Sequence, residues 1–210
     1  MPFTLDQIRT SLSRHSPQSL AREGQTEAAV ALVLAGSGSD LSLCFIRRAE
    51  FEGDPWSGHM ALPGGRASPE DPSPRVVAER ETFEEVGLAL DPEHWLGSLS
   101  DVLVRLGGGD RRMIVSPFVY YLGEEPPPFT ICAAEVAEAY WIPLSYLWDP
   151  KNASHMKWEH ESVKGARLLY PAIRFADAAI WGLTFRVLTL FSDVLATPLP
   201  HLEEIPGLGR

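Results

Sequence analysis

The sequence predicts an α/β fold, a mixed sheet held between helices as an α/β/α sandwich. Three observations predict it. Short apolar runs of strand length, such as "AAVALVLAG" and "LSLCFIRRA", are bounded by turn-forming residues. Two segments carry helical periodicity, an acidic one near the middle of the chain and an apolar one near its end. The two kinds of segment are interspersed with no internal repeat, which favours one layered domain. At 210 residues the chain is long enough to bury a full core.

The opening "TLDQIRTSLSRH" has apolar residues three to four apart and Thr4 as a cap, so a short helix is expected there. Ser16 to Thr26 is polar, contains Pro17 and reads as a linker. Residues 1–25 are therefore expected to form an N-terminal helix and linker, 26–198 the main domain and 199–210 a C-terminal tail. "AAVALVLAG" and "LSLCFIRRA" are strands joined by "SGSD", which has hairpin chemistry. The loop "EFEGDPWSGH" leads through a Pro-Gly-Gly turn into the acidic helix, for which Ser73 suits the N-cap, Pro74 the first turn and Gly87 the left-handed stop. Next come "WLGSLSDVLVRL" and "RMIVSPFVYYL", two strands joined at "GGGD". "EEPPPF" is a stiff connection, "VAEAYWIPL" a strand running into a short helix at "SYLWD", and Pro150 to Arg167 an irregular insertion. A last helix is expected from Ala176 to Leu195, with Ile180, Leu183, Val187, Leu190, Phe191 and Val194 at helical spacing and Trp181 and Gly182 at its start.

Composition excludes several classes of function. A content of 45% hydrophobic and 22% charged residues is that of a folded globular chain rather than a disordered one. A net charge of -10 argues against binding to nucleic acid or to an anionic membrane. A polyphosphate substrate would have to be attracted locally, by cations and arginines. Cys44 and Cys132 sit in apolar runs without ligand spacing and are read as reduced. With no signal peptide and no apolar stretch of membrane-spanning length, a cytoplasmic location is expected.

The informative segment is "RVVAERETFEEVGL". At about 100° per residue, Glu84 lies roughly 60° to one side of Glu81 and Glu85 roughly 40° to the other, so three carboxylates share one stripe while Glu79 points away. Val76, Val77, Phe83 and Val86 supply apolar surface elsewhere. Arg80 and Glu84 stand at i and i+4, where the guanidinium holds one carboxylate in place. A charge-rich helix face is usually just solvated. Carboxylates this dense nevertheless suit Mg²⁺ or Mn²⁺, which prefer hard oxygen ligands.

The segment just upstream, "HMALPGGRASPEDPSPR", puts a glycine loop in front of that helix. Together they resemble the Nudix box: a glycine, a spacer, an acid, a second spacer, then R-E-U-x-E-E-x-G-U with U aliphatic. Arg80, Glu81, Thr82, Phe83, Glu84, Glu85, Val86, Gly87 and Leu88 supply the second half, with Thr82 the one departure. Gly65 begins the first half, and Asp71, or else Glu70, fills its acidic position. A spacer one residue longer than usual before Arg80 resembles the coenzyme A pyrophosphatase branch, as do "EVAEAYWIPLSYL" and "IWGLTFRVLTLF". In the branch's upstream motif, His59 stands where glutamine is usual and Trp56 where histidine is.

The resemblance implies a Nudix-type sandwich with a catalytic loop-helix. It implies Mg²⁺ or Mn²⁺ held by Glu81, Glu84, Glu85 and the Gly64 carbonyl, with Arg80 orienting the glutamates. A water activated by Glu81, or by Glu135 outside the box, would attack phosphorus. Gly64 and Gly65 would let the backbone approach the phosphates. Because neighbouring strand residues alternate faces, one of Arg47 and Arg48 is expected to enter the substrate cleft and bind phosphate, and Trp56 to stack on the base. The expected partner is a small nucleotide conjugate, coenzyme A or acyl-coenzyme A ahead of ADP-ribose, NADH or nucleoside triphosphates. Assembly as a homodimer is left open. A silent binding module of the same fold would have lost a box carboxylate, and none is missing here.

Overall fold

The computed structural model describes residues 4–52, 56–105, 111–159 and 167–200. Helix α1 (Leu5–Arg14) starts at Thr4, whose side chain accepts the Gln7 amide while Gln7 accepts the Thr4 amide, a reciprocal cap. Its Ile8 and Leu12 are buried, so the helix belongs to the core rather than hanging from it. The linker is pinned as well: Asp101 accepts from Leu20 and Arg22, and Arg22 also pairs with Glu27 at 2.7 Å.

Strand β1 (Thr26–Ala35) is the axis of the main sheet. Along one edge it runs parallel to β7 (Arg112–Tyr121); the other edge is forked. Its C-terminal end pairs with β2 (Ser42–Arg48), and its N-terminal residues Ala28–Val30 pair with β4 (Gly64–Arg66). At the fork the Ala31 amide donates to the Pro63 carbonyl at 2.8 Å. β2 also pairs with β3 (Met60–Ala61) and, along its length, with β8 (Val136–Pro143). Both β5 (Trp95–Ser98) and β6 (Val102–Arg105) lie antiparallel on β7.

Side chains of β1 alternate between two cores. Ala29, Ala31 and Val33 face the acidic helix α2 (Pro74–Val86), whereas Leu32 and Leu34 face the layer containing α1 and α4 (Gly182–Val194). A strand covered on both faces must be apolar throughout, which is why "AAVALVLAG" shows no alternation. The expected mixed-sheet sandwich is the observed one. The short helix α3 (Leu144–Leu147) follows β8 as expected.

Three expectations are corrected. The expected irregular insertion from Pro150 to Arg167 is, among its described residues, largely strand: β9 (Ala153–Glu159) pairs with β10 (Arg167–Phe175), which pairs with β11 (Ala178–Trp181) in a second, antiparallel sheet. The last helix starts at Gly182 instead of Ala176, because the preceding residues are β11. The run from Trp95 is two strands, interrupted where Asp101 turns to hold the linker. The "GGGD" turn lies outside the described residues.

Candidate active site

Helix α2 begins and ends at the residues its sequence marks. Ser73 Oγ accepts the Val76 amide, Pro74 opens the first turn, and Gly87 at φ 73° donates its amide to the Phe83 carbonyl at 2.9 Å. The stripe facing the sheet contains Ala78, Thr82 and Glu85, all buried. Thr82 satisfies its hydroxyl by donating to the Ala78 carbonyl at 2.7 Å, which explains how a polar residue takes an apolar position. Phe83, expected to add apolar packing, is 59% exposed. Glu79 leaves the acidic stripe as expected and accepts from the Tyr120 hydroxyl.

Arg80 organises the loop and the helix together. Its Nε and Nη2 donate to the two oxygens of Asp71 at 3.0 and 2.9 Å, its Nη1 donates to Glu84 at 2.8 Å, and Nη2 lies 3.0 Å from Glu81. The choice between Asp71 and Glu70 is thereby made. Asp71 forms the bidentate pair, while Glu70 only accepts from the Ser68 hydroxyl. The Arg80 hydrogen bonds and the Ser68 amide hold the Asp71 carboxyl down at about 2. A folded pKa below the unfolded value gives stability that is complete above about pH 4 and lost as pH falls towards about 2. Asp71→Asn is therefore expected to melt earlier than the parent at neutral pH, with the gap closing between pH 4 and 2. A gap that is unchanged by pH would remove this role.

Glu85 is 2% exposed, and its Oε2 accepts the Gly64 amide at 2.9 Å. Burial pushes its carboxyl up to about 8; the Gly64 bond and Arg48 oppose this, while Glu81 and Glu135 add to it. Glu81 sits over Gly65, where a Cβ would overlap its carboxylate. Burial raises its pKa too, with Arg80 opposing and Glu84 and Glu135 reinforcing. Glu135 stands just before β8, and its carbonyl accepts the Ala49 amide at 2.9 Å beside Arg48. The structure thus gathers Gly64, Gly65, Arg48, Glu81, Glu85 and Glu135, with Glu84 attached through Arg80.

Such a cluster is short of positive charge. Two buried or half-buried carboxyls are driven towards their neutral forms by burial and by the neighbouring carboxylates, an oxygen-rich environment that fits Mg²⁺ or Mn²⁺. The three box glutamates are not drawn into one tight triad, since Glu84 is turned to Arg80 and Glu85 to Gly64. Among the described residues, the three side chains whose ligand atoms all lie within 4.8 Å of one another are Asp91, Glu93 and His94. They lie at a surface turn, and His94 Nδ1 already accepts the Asp91 amide at 3.1 Å.

Arg47 and Arg48 point different ways, as strand alternation demands. Arg48 acts on Glu85, whereas Arg47 is engaged by Asp177 at 3.1 Å and by the field of Glu138. Trp56 is 49% exposed on the loop before β3. His59 packs its ring edge against Trp181 at 5.1 Å. Sequence reasoning missed Asp177, which has no local signal because its partner is 130 residues away.

Residues 24–162 match the family described as NUDIX domain. The chain belongs to the Nudix hydrolase family. Over 154 residues it is 29% identical to the mitochondrial coenzyme A diphosphatase of Homo sapiens, covering 72% of this chain and 61% of that one. Over 137 residues it is 33% identical to the peroxisomal coenzyme A diphosphatase of Caenorhabditis elegans, covering 63% and 55%. The matched stretch thus spans less than two thirds of either relative. A MutT/nudix family protein from Enterococcus faecalis shares the fold at a TM-score of 0.55 and 19% identity, over 92% of this chain and 70% of that one. The segment "PGGRASPEDPSPRVVAERETFEEVGL", read above as a Nudix box, lies within the matched residues, and the resemblance to the coenzyme A branch is supported. Among the described residues no helix is long and apolar enough to cross a membrane.

Proposed function

We propose that this Nudix protein hydrolyses the pyrophosphate bond of a nucleoside diphosphate conjugate, with coenzyme A or acyl-coenzyme A as substrate and 3′,5′-ADP and 4′-phosphopantetheine as products. The observation that carries this reading is the burial of Glu85 against the Gly64 amide, beside Glu81 and Glu135, with every box carboxylate present. Glu81, Glu84 and Glu85, with the Gly64 carbonyl, would hold Mg²⁺ or Mn²⁺. When bound, the ions neutralise diphosphate oxygens and acidify a water.

The chain's own residues do the rest. Gly65 leaves room for Glu81 above the loop, so phosphate can approach backbone and carboxylate together. Arg80 keeps Glu84 and Glu81 in place while spending its fork on Asp71, so it orients groups and does not touch substrate. Glu135, exposed and outside the Arg80 network, is free to take the proton of the attacking water, and Glu81 is the alternative base. Arg48 is the cation placed to meet the diphosphate. The cytoplasm is the proposed compartment, in keeping with two free cysteines.

Two results are expected. Excess chelator should abolish hydrolysis and added Mg²⁺ or Mn²⁺ should restore it; full activity in chelator would contradict the assignment. Arg48→Ala should raise KM for the conjugate with a smaller fall in kcat, as lost uniform binding does. A fall confined to kcat would place Arg48 elsewhere. The decisive experiment is product identification by mass from coenzyme A, ADP-ribose and NADH in parallel. Cleavage of either of the latter two with coenzyme A untouched would overturn the substrate proposed.

A further inference from the structure

Where β6 ends and β7 begins, the sheet carries arginines that the carboxylate cluster does not use. Arg105, the last residue of β6, is the register partner of Arg112, the first of β7. Both are exposed, as is Arg111 beside them. Cross-strand partners hold their Cβ atoms about 4.5–5.5 Å apart, and like charges placed there repel. Other guanidiniums of the chain are matched to carboxylates: Arg22 to Glu27 and Asp101, Arg47 to Asp177, Arg75 to Glu79 and Arg80 to Asp71. Among the described residues, no hydrogen bond or ion pair engages the side chain of Arg105, Arg111 or Arg112. A protein of net charge -10 thus places three unmatched cations together.

The pair faces the same side of the sheet as the Nudix box. Ala29, in the core beneath α2, is the register partner of Gly65 on β4 and of Ser116 on β7. Ser116 and Arg112 stand four apart in one strand and share that face, and Arg105 follows its partner. Two strand spacings and four residues separate Gly65 from Arg112, roughly 10 Å across the sheet and about 13 Å along it. An extended arginine covers about 6 Å of that separation, and the six bonds joining the 5′- and 3′-phosphorus of a nucleotide cover about 7 Å.

A guanidinium stays charged at every working pH, and its planar fork meets phosphate oxygens through two parallel hydrogen bonds. A phosphomonoester is close to a dianion at pH 7 and presents three acceptor oxygens, so it cancels both facing charges at once, which a carboxylate does not. We infer that Arg105 and Arg112, with Arg111 beside them, form an anion site that takes a phosphomonoester. The group comes either from the conjugate itself, as the 3′-phosphate of coenzyme A, or from free phosphate. Only the first source rests on the function proposed above.

The test titrates inorganic phosphate into the metal-free protein at matched ionic strength, following the heat of binding and Tm. The parent should bind phosphate saturably and gain Tm with it, as binding to the folded state requires. Arg105→Gln/Arg112→Gln should melt no earlier than the parent without phosphate, since a repulsive pair is gone, and should bind phosphate at least about tenfold more weakly. Arg9→Gln/Arg14→Gln removes the same charge from α1 and should bind as the parent does. No saturable binding to the parent, equal binding by the Arg105/Arg112 variant, or equal weakening in the α1 variant overturns the site. Kinetics separate the sources. If the phosphate is the conjugate's own, the parent should favour coenzyme A over its 3′-dephospho form by about tenfold, and the Arg105/Arg112 variant should cleave both alike. A ratio that is the same in parent and variant assigns free phosphate as the ligand. If no conjugate is cleaved, the proposed function fails, and the phosphate titration still decides the site.

Discussion

Glu85→Gln is expected to reduce turnover by about two to three orders of magnitude, the scale on which loss of one preorganised electrostatic group acts. Glutamine keeps the volume and the carbonyl oxygen that accepts the Gly64 amide, so the fork between β1 and β4 retains its contact. What disappears is the charge. In the metal-free protein that charge is a liability to folding, because burial raises the folded pKa to about 8, above an unfolded value of about 4.3. Ionisation therefore costs stability as pH rises from about 4 to about 8, and the neutral amide avoids this cost. The variant should melt no earlier than the parent at pH 8 without metal while failing to turn over with it. Turnover within about twofold of the parent would remove Glu85 from the proposed ion site.

The box was legible because its signals are local. Ser73, Pro74 and Gly87 delimit α2 at the positions the sequence marks, and the Arg80–Glu84 pair needs only one helical turn. The burial of Glu85 was not legible, since it depends on the fork in β1 that brings Gly64 over the helix. Asp71 could not be separated from Glu70 for the same reason: the distinction lies in which carboxylate reaches Arg80 across the loop.

The second sheet was missed for a different physical cause. The β10–β11 turn contains Ala176 at φ 49°, a left-handed position that sequence patterns assign to glycine or asparagine, so nothing marked a reversal there. Ile180 suits either period. It completes the helical spacing with Leu183 and Val187, yet in the structure it is the buried residue of β11. Long-range polar pairs hid the other boundaries. Arg22 reaching Asp101 across 79 residues and Arg47 reaching Asp177 across 130 leave no trace in local periodicity.

Gly64→Ala is expected to lose both stability and activity, and the two losses have one cause. Gly64 occupies φ 148°, which side-chain-bearing residues rarely adopt, and a Cβ there would overlap the Ala29 carbonyl oxygen and the Val30 Cα of β1. Backbone cannot give way as a flexible side-chain tip can, so β4 must move off β1. The cost is about 3 kcal/mol by the scale of strained or overpacked sites, which in a chain of this size lowers Tm by about 6–12 °C. Because the Gly64 amide also holds Glu85, displacement of β4 releases that carboxylate from its position. Activity should therefore fall even at temperatures where the variant remains folded, with kcat affected more than KM. A variant that melts with the parent would show that β4 is not fixed by this close approach. One that melts early but turns over normally when folded would separate the Gly64 contact from the chemistry.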